Sequence, residues 1–461
     1  MGDAAMINAA VSVMPPAATD GLPARQRAWV MGCVSLGIVL AGLDSAIANI
    51  ALPTIARELA ASEASIVWVV NSYQLAVAMC LLPVAAMGEI FGVKRVYGCG
   101  LILFTVASLA CALSPSLGAL VAARVLQGIG GAAIAGLGPA LVRQAYPRAL
   151  LARGFAIVAL GVAISAAIGP SIAAVILSVA TWPWLFLVNV PICIVGIPLF
   201  YVVAPANRPQ PRRFDVVGAA LSAASLGLVV VGVDSLAGPA SVAGCEIVVG
   251  FVGFTVLYLQ QRSHTAPLLP LDLLRIPLFS LSIVTSVCSY AAQILAYLSL
   301  PFLFETVMHR SQVTTGLLMT PWPLLVAFAA PFAGRLTGRY PAGILGSIGM
   351  AVLTLGLLLL ATLPDGAGDW NVAWRMGICG VGFGFYQTPN NTTLMTAGPP
   401  HRSGAAGGMI GTARTVGWSL GAALVALLFA TQGPTATTAC LEAAAACAAV
   451  GAVFSVSRLT T

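Results

Sequence analysis

Charged residues are scarce in this sequence: Asp, Glu, Lys and Arg together make up 8% of its 461 residues. A typical soluble protein carries about 25% charged residues, and a soluble fold of this size would need far more polar side chains on its surface. The shortage excludes a cytosolic globular enzyme and a disordered chain. We attribute the net charge of +7 to membrane topology rather than to nucleic-acid binding, because loop cations orient membrane proteins.

Paired cysteines and catalytic motifs are also missing. None of the ten cysteines forms a CxxC pair, and all lie within or at the edges of apolar segments, which favours small packing residues over disulfides or metal ligands. No HExxH, GxSxG or phosphate-binding Walker motif occurs. We therefore expect no enzyme activity, no metal and no cofactor. The first residues lack a basic start, and Pro15 and Pro16 interrupt their only apolar run, which excludes a signal peptide there.

Long apolar runs take the place of the missing charges, because 59% of the residues are hydrophobic. One membrane span needs about 20 apolar residues, and runs of that length recur with short polar breaks along the chain. We predict an all-α membrane protein with fourteen transmembrane helices. The predicted spans cover residues 28–51, 66–88, 97–114, 117–138, 154–178, 184–204, 214–235, 242–260, 278–304, 313–334, 342–363, 370–396, 403–430 and 437–456.

The loop charges test this count, because cytoplasmic loops of membrane proteins carry an excess of Lys and Arg. An even number of spans puts both termini on one side, which we assign to the cytoplasm. Sixteen Lys and Arg residues then fall in cytoplasmic segments, against Arg57 and Arg310 on the opposite side. Hydropathy and charge therefore predict the same topology.

Two glycine-rich stretches, each preceded by an arginine inside a span, indicate an internal repeat. Span 4 contains Arg124 before Gly128, and span 12 contains Arg375 before Gly380. Two related halves around a midplane site are a common transporter plan. We predict a cytoplasmic tail (1–27), an N-terminal six-helix half (28–204), a cytoplasmic linker (205–213), an inserted helix pair (214–260) and a C-terminal six-helix half (278–456).

Four segments together resemble a known family. Residues 43–53 read LDSAIANIALP, residues 120–131 read LVAARVLQGIGG, residues 182–191 read WPWLFLVNVP, and Phe214-Asp215 opens span 7. Their order and spacing resemble the 14-span drug:proton antiporter branch of the major facilitator superfamily. The resemblance implies the major facilitator fold, with two six-helix halves plus two inserted helices.

Asp44 in span 1 and Arg124 in span 4 are predicted to form the proton-coupling pair. At 1.5 Å per residue, Asp44 lies about 24 Å from the cytoplasmic surface and Arg124 about 20 Å from it. A carboxylate beside a cavity can gain and lose a proton, whereas arginine stays charged. The alternatives are a fixed Arg124 charge that holds the fold, and an Asp44 packing contact near Pro53.

Polar and aromatic side chains at similar depth are predicted to bind an amphipathic substrate. For any single one of them, an interhelical contact is the alternative. We expect a second polar group, Gln387, Asn390 and Asn391, to line an inward-facing vestibule. The predicted substrate residues are Asn71, Tyr73, Gln74, Gln127, Tyr290, Gln293, Trp322 and Arg414.

The loop after span 2 and the small residues of spans 5 and 13 are predicted to serve the transport cycle. The loop keeps a carboxylate but lacks two basic positions of the family pattern. We predict a charge latch there, with a simple orienting loop as the alternative; its residues are Glu89, Gly92, Lys94 and Arg95. Small residues at four-residue spacing let helix backbones approach closely, and proline can kink a helix. The predicted packing and hinge residues are Gly161, Ser165, Gly169, Pro170, Gly417 and Gly421.

These features favour a secondary exporter of the bacterial-type inner membrane, with both termini cytoplasmic. The resemblance implies that it exchanges protons for drugs, dyes or biocides by alternating access. An exporter of one metabolite or siderophore is the close alternative, and a channel or a membrane-embedded enzyme is a more distant one. The expected partners are protons, a small amphipathic substrate and membrane lipid, without nucleic acid, and we expect a monomer.

Overall fold

Fourteen long helices account for most of the computed structural model, which describes residues 21–61, 63–66, 68–206, 214–234, 240–262, 270–364, 366–432 and 436–460. No strand occurs in these ranges. Most of the predicted tail and linker lies outside them. The long helices are α1 (Ala24–Glu58), α2 (Trp68–Phe91), α3 (Val93–Ala112), α4 (Leu117–Ala145), α5 (Leu151–Val179), α6 (Asn189–Val203), α7 (Val216–Asp234), α8 (Ala240–Gln261), α9 (Pro277–Phe302), α10 (Pro321–Leu336), α11 (Ala342–Ala361), α12 (Asp369–Ala397), α13 (Ser403–Gln432) and α14 (Ala436–Ser457).

Two of the predicted spans are broken rather than continuous. A short helix, Pro183–Leu187, precedes α6, and another, Gln312–Met319, precedes α10. Pro321 opens α10 immediately after Thr320, because proline has no N–H to continue the preceding helix. The breaks lie close to the end of the bundle opposite the start of α1. We call that end the outer end, and the end where α1 begins the inner end.

Twelve helical segments in the described ranges are long and apolar enough to cross a membrane. The two remaining long helices are α7, whose apolar stretch Val216–Gly232 is shorter, and α12. Helix α12 has 29 residues, but Gln387, Asn390 and several glycines and threonines lower its mean hydropathy. The membrane protein is therefore all-helical as predicted, while the count of fourteen spans stays a prediction.

Helices α1–α6 and α9–α14 pack in matching patterns. Helix α4 packs on α2 and α3, and α12 packs on α10 and α11. Both pairs of backbones cross at glycines: a Cβ atom on Gly130 would lie 2.8 Å from the carbonyl oxygen of Gly100, and one on Gly382 would lie 2.7 Å from that of Gly349. Contact this close excludes a side chain at either crossing. The α3–α4 and α11–α12 pairs are therefore equivalent elements of the two halves.

The two halves meet mainly through the inner ends of their helices. A Cβ atom on Gly408 would lie 2.7 Å from that of Ala85, and one on Gly334 would lie 3.0 Å from the carbonyl oxygen of Ala152. One apolar cluster continues from Leu137 of α4 to Met409 of α13. Toward the outer end, the described apolar residues fall into two clusters: one lies in the first half, and the other lies in the second half apart from Ala163 of α5. This conformation is thus closed at the inner end.

Helices α7 and α8 form a hairpin on the outside of the bundle. Helix α7 packs against α8, α2 and α13. Asp215 accepts a hydrogen bond from the backbone N–H of Gly218 at 2.8 Å and another from Nε2 of Gln261 at 2.9 Å. These bonds join the first turn of α7 to the last turn of α8 and so close the hairpin at its inner end.

Candidate functional site

Asp44 and Arg124 form a buried ion pair between α1 and α4. Nη1 of Arg124 donates to Oδ2 of Asp44 at 2.5 Å, and neither side chain has exposed surface. Oδ1 of Asp44 accepts from Nε2 of Gln127 at 2.7 Å and from Nδ2 of Asn189 at 3.2 Å. An ionised carboxylate has acceptors only, and three donors engage both of its oxygens. The predicted pair is therefore in direct contact, which similar depth alone did not establish.

Arg124 is held from several directions. Its Nε donates to the carbonyl oxygen of Val69 at 2.9 Å. Its guanidinium lies 4.3 Å from the ring centroid of Tyr73 and 5.6 Å from that of Phe186, which are favourable positions for a cation. Its Nη2 is buried without a hydrogen-bond partner. One donor of the group is thus available when the network rearranges.

The helix crossings explain why these side chains converge. Arg124 and Gln127 are three residues apart and so share a face of α4. A Cβ atom on Gly128 would lie 2.6 Å from the carbonyl oxygen of Tyr73, so the missing side chain admits the Tyr73 backbone. The start of α6, after Val188, brings in Asn189. We call Asp44, Ser108, Arg124, Gln127 and Asn189 the charge-pair network; Ser108 accepts from Gln127 at 2.8 Å.

Asn189 and Ser108 were missed by sequence reasoning. Asn189 stood in a segment with family resemblance, but no charge or spacing marked it as a partner of Asp44. Ser108 lies on α3 among apolar residues, where a hydroxyl carries no signal of its own. Only the packing of α3 on α4, and of α6 on α1 and α3, shows that Asn189 donates to Asp44 and that Ser108 accepts from Gln127 and Asn189.

Arg375 does not repeat the arrangement of Arg124 in the other half. Its Nη1 donates to the carbonyl oxygen of Leu359, and it forms no ion pair with any described residue. Arg124 precedes its crossing glycine, Gly128, by four residues, whereas Arg375 precedes Gly380 by five. One residue turns a helical side chain by about 100°. Arg375 therefore points toward α11, and the position that corresponds to Arg124 holds Met376, which is fully buried.

Three predicted substrate residues and two further side chains form a polar and aromatic cluster in the second half. Arg414 lies 5.5 Å from the Trp418 ring centroid, and its Nε is buried without a hydrogen-bond partner. Nε1 of Trp418 donates to Oε1 of Gln293 at 3.4 Å. Nε2 of Gln387 donates to the hydroxyl of Tyr290 at 3.1 Å. We call Tyr290, Gln293, Gln387, Arg414 and Trp418 the second-half cluster; Gln387 and Trp418 were not among the predicted substrate residues, although Gln387 was expected at a vestibule.

The remaining predicted substrate residues are placed differently. Asn71 is half-buried and Gln74 is exposed, whereas Tyr73 and Gln127 belong to the surroundings of the ion pair. Trp322 is completely buried, with its ring centroid 5.1 Å from that of Tyr297. Its backbone carbonyl packs against Gly380, as that of Tyr73 packs against Gly128. Trp322 packs at the α10–α12 crossing with its indole Nε1 buried without a hydrogen-bond partner, and its role in substrate binding stays a prediction.

Glu89 forms an ion pair, but with a partner other than the predicted latch cations, and its function as a latch stays a prediction. Its Oε2 accepts from Nη1 of Arg402 at 2.7 Å, and its Oε1 accepts from the backbone N–H of Ala405 at 2.9 Å, in the first turn of α13. Arg402 also binds both carboxylate oxygens of Asp272 at 2.8 Å. We call Glu89, Asp272 and Arg402 the inner lock, because it joins α2 of one half to the start of α13 in the other.

The other predicted latch residues serve the first half itself. Lys94 donates to the carbonyl oxygen of Ala204 at 2.8 Å, and Arg95 is exposed. Gly92 has φ of +100° immediately before α3, a conformation that favours glycine. The predicted contribution of Lys94 and Arg95 to a latch is therefore corrected: the cation is Arg402, 313 residues away from Glu89 along the chain.

The small-residue stripes pack within the halves. A Cβ atom on Gly161 would lie 3.3 Å from Val39, and Ser165 donates to the carbonyl oxygen of Val39 at 3.2 Å, so this stripe faces α1. Gly169 is buried, and the Pro170 side chain lies outside the described part of the structure. Cβ atoms on Gly417 and Gly421 would lie 2.7 Å from carbonyl oxygens of α9, those of Val287 and Ala291.

The described members of these stripes thus pack within one half, and their contribution to alternating access stays a prediction. Another stripe of α5 faces α10 of the other half: Ala152 and Ala156 lie against Gly334. Ala163 belongs to the apolar cluster of the second half. Alanine is frequent throughout the sequence, so its spacing alone did not separate this stripe from ordinary packing.

A second buried polar group lies at the inner end of the second half. Asn390 accepts from Nη1 of Arg458 at 2.7 Å and donates to the hydroxyl of Ser286 at 2.8 Å. The Tyr386 hydroxyl also donates to that of Ser286, at 3.2 Å. Asn390, expected at a vestibule, is thus a fully buried structural contact in this conformation. The acids Glu246 and Glu305 are half-buried and exposed respectively, both away from the ion pair.

Comparison with known proteins identifies the architecture. The model of the Major Facilitator Superfamily matches residues 34–422. The chain belongs to the major facilitator superfamily. As a member, it is a multi-pass membrane transporter of small solutes. Its two helical halves, with the α7–α8 hairpin packed on their outside, are a form of the superfamily fold.

Relatives of the chain have names that describe different functions. The chain is 48% identical to the uncharacterized transporter YebQ of Escherichia coli, over 97% of this chain and 99% of that one. It is 28% identical to the riboflavin transporter RibZ of Clostridioides difficile, over 88% and 89%. It is 33% identical to the multidrug resistance protein Stp of Mycobacterium tuberculosis, over 88% and 76%. Among solved structures, the proton:xylose symporter XylE has the same fold, with a TM-score of 0.68 at 13% identity over 94% and 96%.

Proposed function

We propose that this transporter is a proton-coupled exporter of small amphipathic compounds such as drugs, dyes or biocides. It would lie in the bacterial inner membrane as a monomer, with the inner end of the bundle facing the cytoplasm. The observation that carries the proposal is the charge-pair network, which places one carboxylate at membrane depth among donors only. The relatives named for multidrug resistance support export of such compounds. The sixteen-to-two distribution of loop cations supports the orientation with the inner end in the cytoplasm.

Asp44 is the proposed proton carrier. A proton on Asp44 removes one acceptor and cancels its charge, so Arg124 loses its ionic partner while Gln127 and Asn189 lose the carboxylate they share. Charges at membrane depth are costly without a partner. Protonation would therefore drive a rearrangement of α1 against α4, in which Arg124 seeks new acceptors, and loss of the proton would restore the pair.

The inner lock is the proposed gate of the cycle. With the lock closed, the second-half cluster and the charge-pair network would be reached from the outer end. Alternating access requires these inner contacts to separate while outer contacts form, with residues 28–204 and 278–456 as the moving halves. The hairpin 214–260 packs on α2 of the first half and on α13 of the second half. It would therefore not follow the movement of one half alone.

Transport by the purified protein in liposomes under an imposed pH gradient tests the proposal. When a proton gradient is imposed, we expect the dye to move against its own concentration gradient. When an ionophore collapses the proton gradient, the dye should only equilibrate slowly. Protein-free liposomes and the Asp44→Asn variant are the controls. Dye movement that is equal with and without the gradient would exclude proton coupling.

An exporter of one specific metabolite is the second candidate, and the similarity to a riboflavin transporter favours it. The same liposomes distinguish the two candidates. A broad exporter accepts several dyes of different shape, whereas a specific exporter moves one compound and is not inhibited by the others.

A further inference from the structure

We infer that Arg414 binds the acidic group of the substrate, and that the transported compounds are planar aromatic anions. This inference rests on the proposed function and specifies the substrate class of the same transporter. It depends on the charges that remain at membrane depth once the ion pair is formed, and on the side chains around Arg414.

The charges inside the described helices do not cancel. Asp44 is paired with Arg124, and Arg375 donates through Nη1 to the carbonyl oxygen of Leu359 in α11, although its Nε is also buried without a hydrogen-bond partner. Arg414 has no ionic partner among the described residues, and no hydrogen bond satisfies its Nε. An unpaired cation at this depth requires a counter-charge, so a cationic substrate would be repelled and an anionic one attracted.

The position of Arg414 faces the interface between the halves. It lies one turn along α13 from Gly411, whose Cβ would contact Leu81 of α2 at 2.8 Å. Arg414, Trp418, Gln293 and Gln387 are each partly exposed. Polar side chains at membrane depth face an interior space rather than lipid, so these atoms are accessible to a bound solute.

The surrounding side chains define the shape of the ligand. The rings of Trp418 and Tyr290 are 6.2 Å apart and nearly perpendicular, and Phe383 extends the aromatic wall 5.7 Å from Tyr290. Aromatic walls accept flat ring systems, and the amides of Gln293 and Gln387 supply hydrogen bonds at their edge. The guanidinium fork is suited to carboxylate, sulfonate or phosphate groups. A flat aromatic acid satisfies all three features at once.

The charge of the substrate has a measurable consequence. Exchange of an inward proton for an outward anion moves net positive charge inward, so a membrane potential that is negative inside drives it. One-for-one exchange of a proton for a monovalent cation moves no net charge. Export should therefore respond to a potassium-diffusion potential even when the pH is equal on both sides.

Two dyes with the same tricyclic ring system and opposite charge provide the test. Binding of fluorescein and of rhodamine 6G to the purified full-length protein in nanodiscs is measured by fluorescence polarisation, for wild type, Arg414→Gln and Arg414→Lys. We expect wild type to bind fluorescein about tenfold more tightly than rhodamine 6G, as one charge-assisted contact allows. Arg414→Gln should lose about tenfold in fluorescein affinity without loss of rhodamine binding, and Arg414→Lys should retain part of it.

Arg375→Gln is the matched control, because it removes the same charge from the same half and should leave the binding of both dyes unchanged. The inference is overturned by rhodamine 6G binding as tightly as fluorescein to wild type, or by unchanged fluorescein binding to Arg414→Gln. Absence of fluorescein binding at about 1 mM also overturns it.

Transport of the two dyes under a proton gradient separates this inference from the proposed function. Gradient-driven rhodamine export without fluorescein binding would reject the substrate class and leave proton-coupled export intact. Fluorescein binding at Arg414 without any response of transport to the gradient would support the anion site and reject proton coupling.

Discussion

The two halves share a backbone plan but place their arginines differently. In the first half, Arg124 meets Asp44 inside a network in which each charge has an ionic partner. In the second half, Arg375 is turned onto a carbonyl of α11, and Arg414 stands over Trp418 without an ionic partner among the described residues. Similar helix crossings at Gly130 and Gly382 underlie both arrangements. The comparison teaches that a conserved backbone does not determine the electrostatics built on it.

Under the proposals above, this difference gives the two halves separate functions. A compensated acid–arginine pair can respond to a proton, because protonation of the acid breaks the pair. A lone cation cannot respond in this way, since arginine stays charged, but it can attract a counter-ion. The first half would therefore handle the proton and the second half the substrate.

Among the variants that test this difference between the halves, Asp44→Asn should have the largest effect on transport. The amide cannot carry the proton, so gradient-driven export in liposomes should fall to the background of protein-free vesicles. Glu305→Gln, which changes an exposed carboxylate at the outer end, is the matched control and should keep full activity. Full gradient-driven export by Asp44→Asn would place the coupling group elsewhere, with Glu89 as the next candidate.

The double variant Asp44→Asn/Arg124→Gln separates folding from coupling. Asp44→Asn alone leaves Arg124 as a buried uncompensated charge, whereas the double variant removes both charges. It should recover thermal stability relative to the single variant while transport stays uncoupled. Recovery of coupled transport would show that the pair has a structural role only.

A second comparison sets Arg124→Met against Arg375→Met. The first leaves the Asp44 carboxylate buried without its ionic partner, which should cost about 3–5 kcal/mol of stability. The second removes one hydrogen bond to a carbonyl and should cost about 1 kcal/mol. Thermal unfolding in detergent, followed by tryptophan fluorescence, measures both. Equal losses would mean that the two arginines are equivalent after all.

A smaller effect is expected at the inner lock, where the halves touch. Glu89→Gln removes a buried carboxylate, while Asp272 is 36% exposed, so Asp272→Asn should weaken the lock less. Hydrogen exchange at the first turns of α13 should rise several-fold in Glu89→Gln and less in Asp272→Asn. Arg339→Gln, at an exposed inner-end position outside the lock, is the control, and equal exchange in all variants would argue against a lock.

The pH dependence of hydrogen exchange at the first turns of α13 follows from the pKa of Asp272. Burial alone would raise the pKa of Asp272, but the hydrogen bonds and charge of Arg402 outweigh it and hold that pKa below its usual range. A lowered pKa in the folded state stabilises the lock above the ordinary carboxyl pKa, about 3.9, and this contribution is lost as the pH falls through the lowered value. Exchange corrected for its intrinsic pH dependence should thus stay constant from pH 8 to 5 and rise only below about pH 4.

Much of the fold could be predicted from the sequence because hydropathy and loop charge are repeated, local signals. The Asp44–Arg124 pair could be predicted because charges are rare at membrane depth, and each of the two stands alone in its span. Asn189, Arg402 and Asp272 could not, since they reach their partners through packing between distant helices. The complete burial of Trp322 could not be predicted either, because depth says nothing about direction around a helix axis.

The single-residue offset between Arg124 and Arg375 makes the asymmetry of the molecule hard to reverse by mutation. Restoring a pair in the second half would require an arginine at Met376 and a carboxylate on a neighbouring helix. Whichever change came first would bury a charge without its partner, a cost of about 3–5 kcal/mol. Variants that pass through such an unstable intermediate are disfavoured. If the two halves arose by duplication, a one-residue offset between their arginines would have kept the acid–arginine pair in one half. The polar residues of the other half could then vary with the substrate.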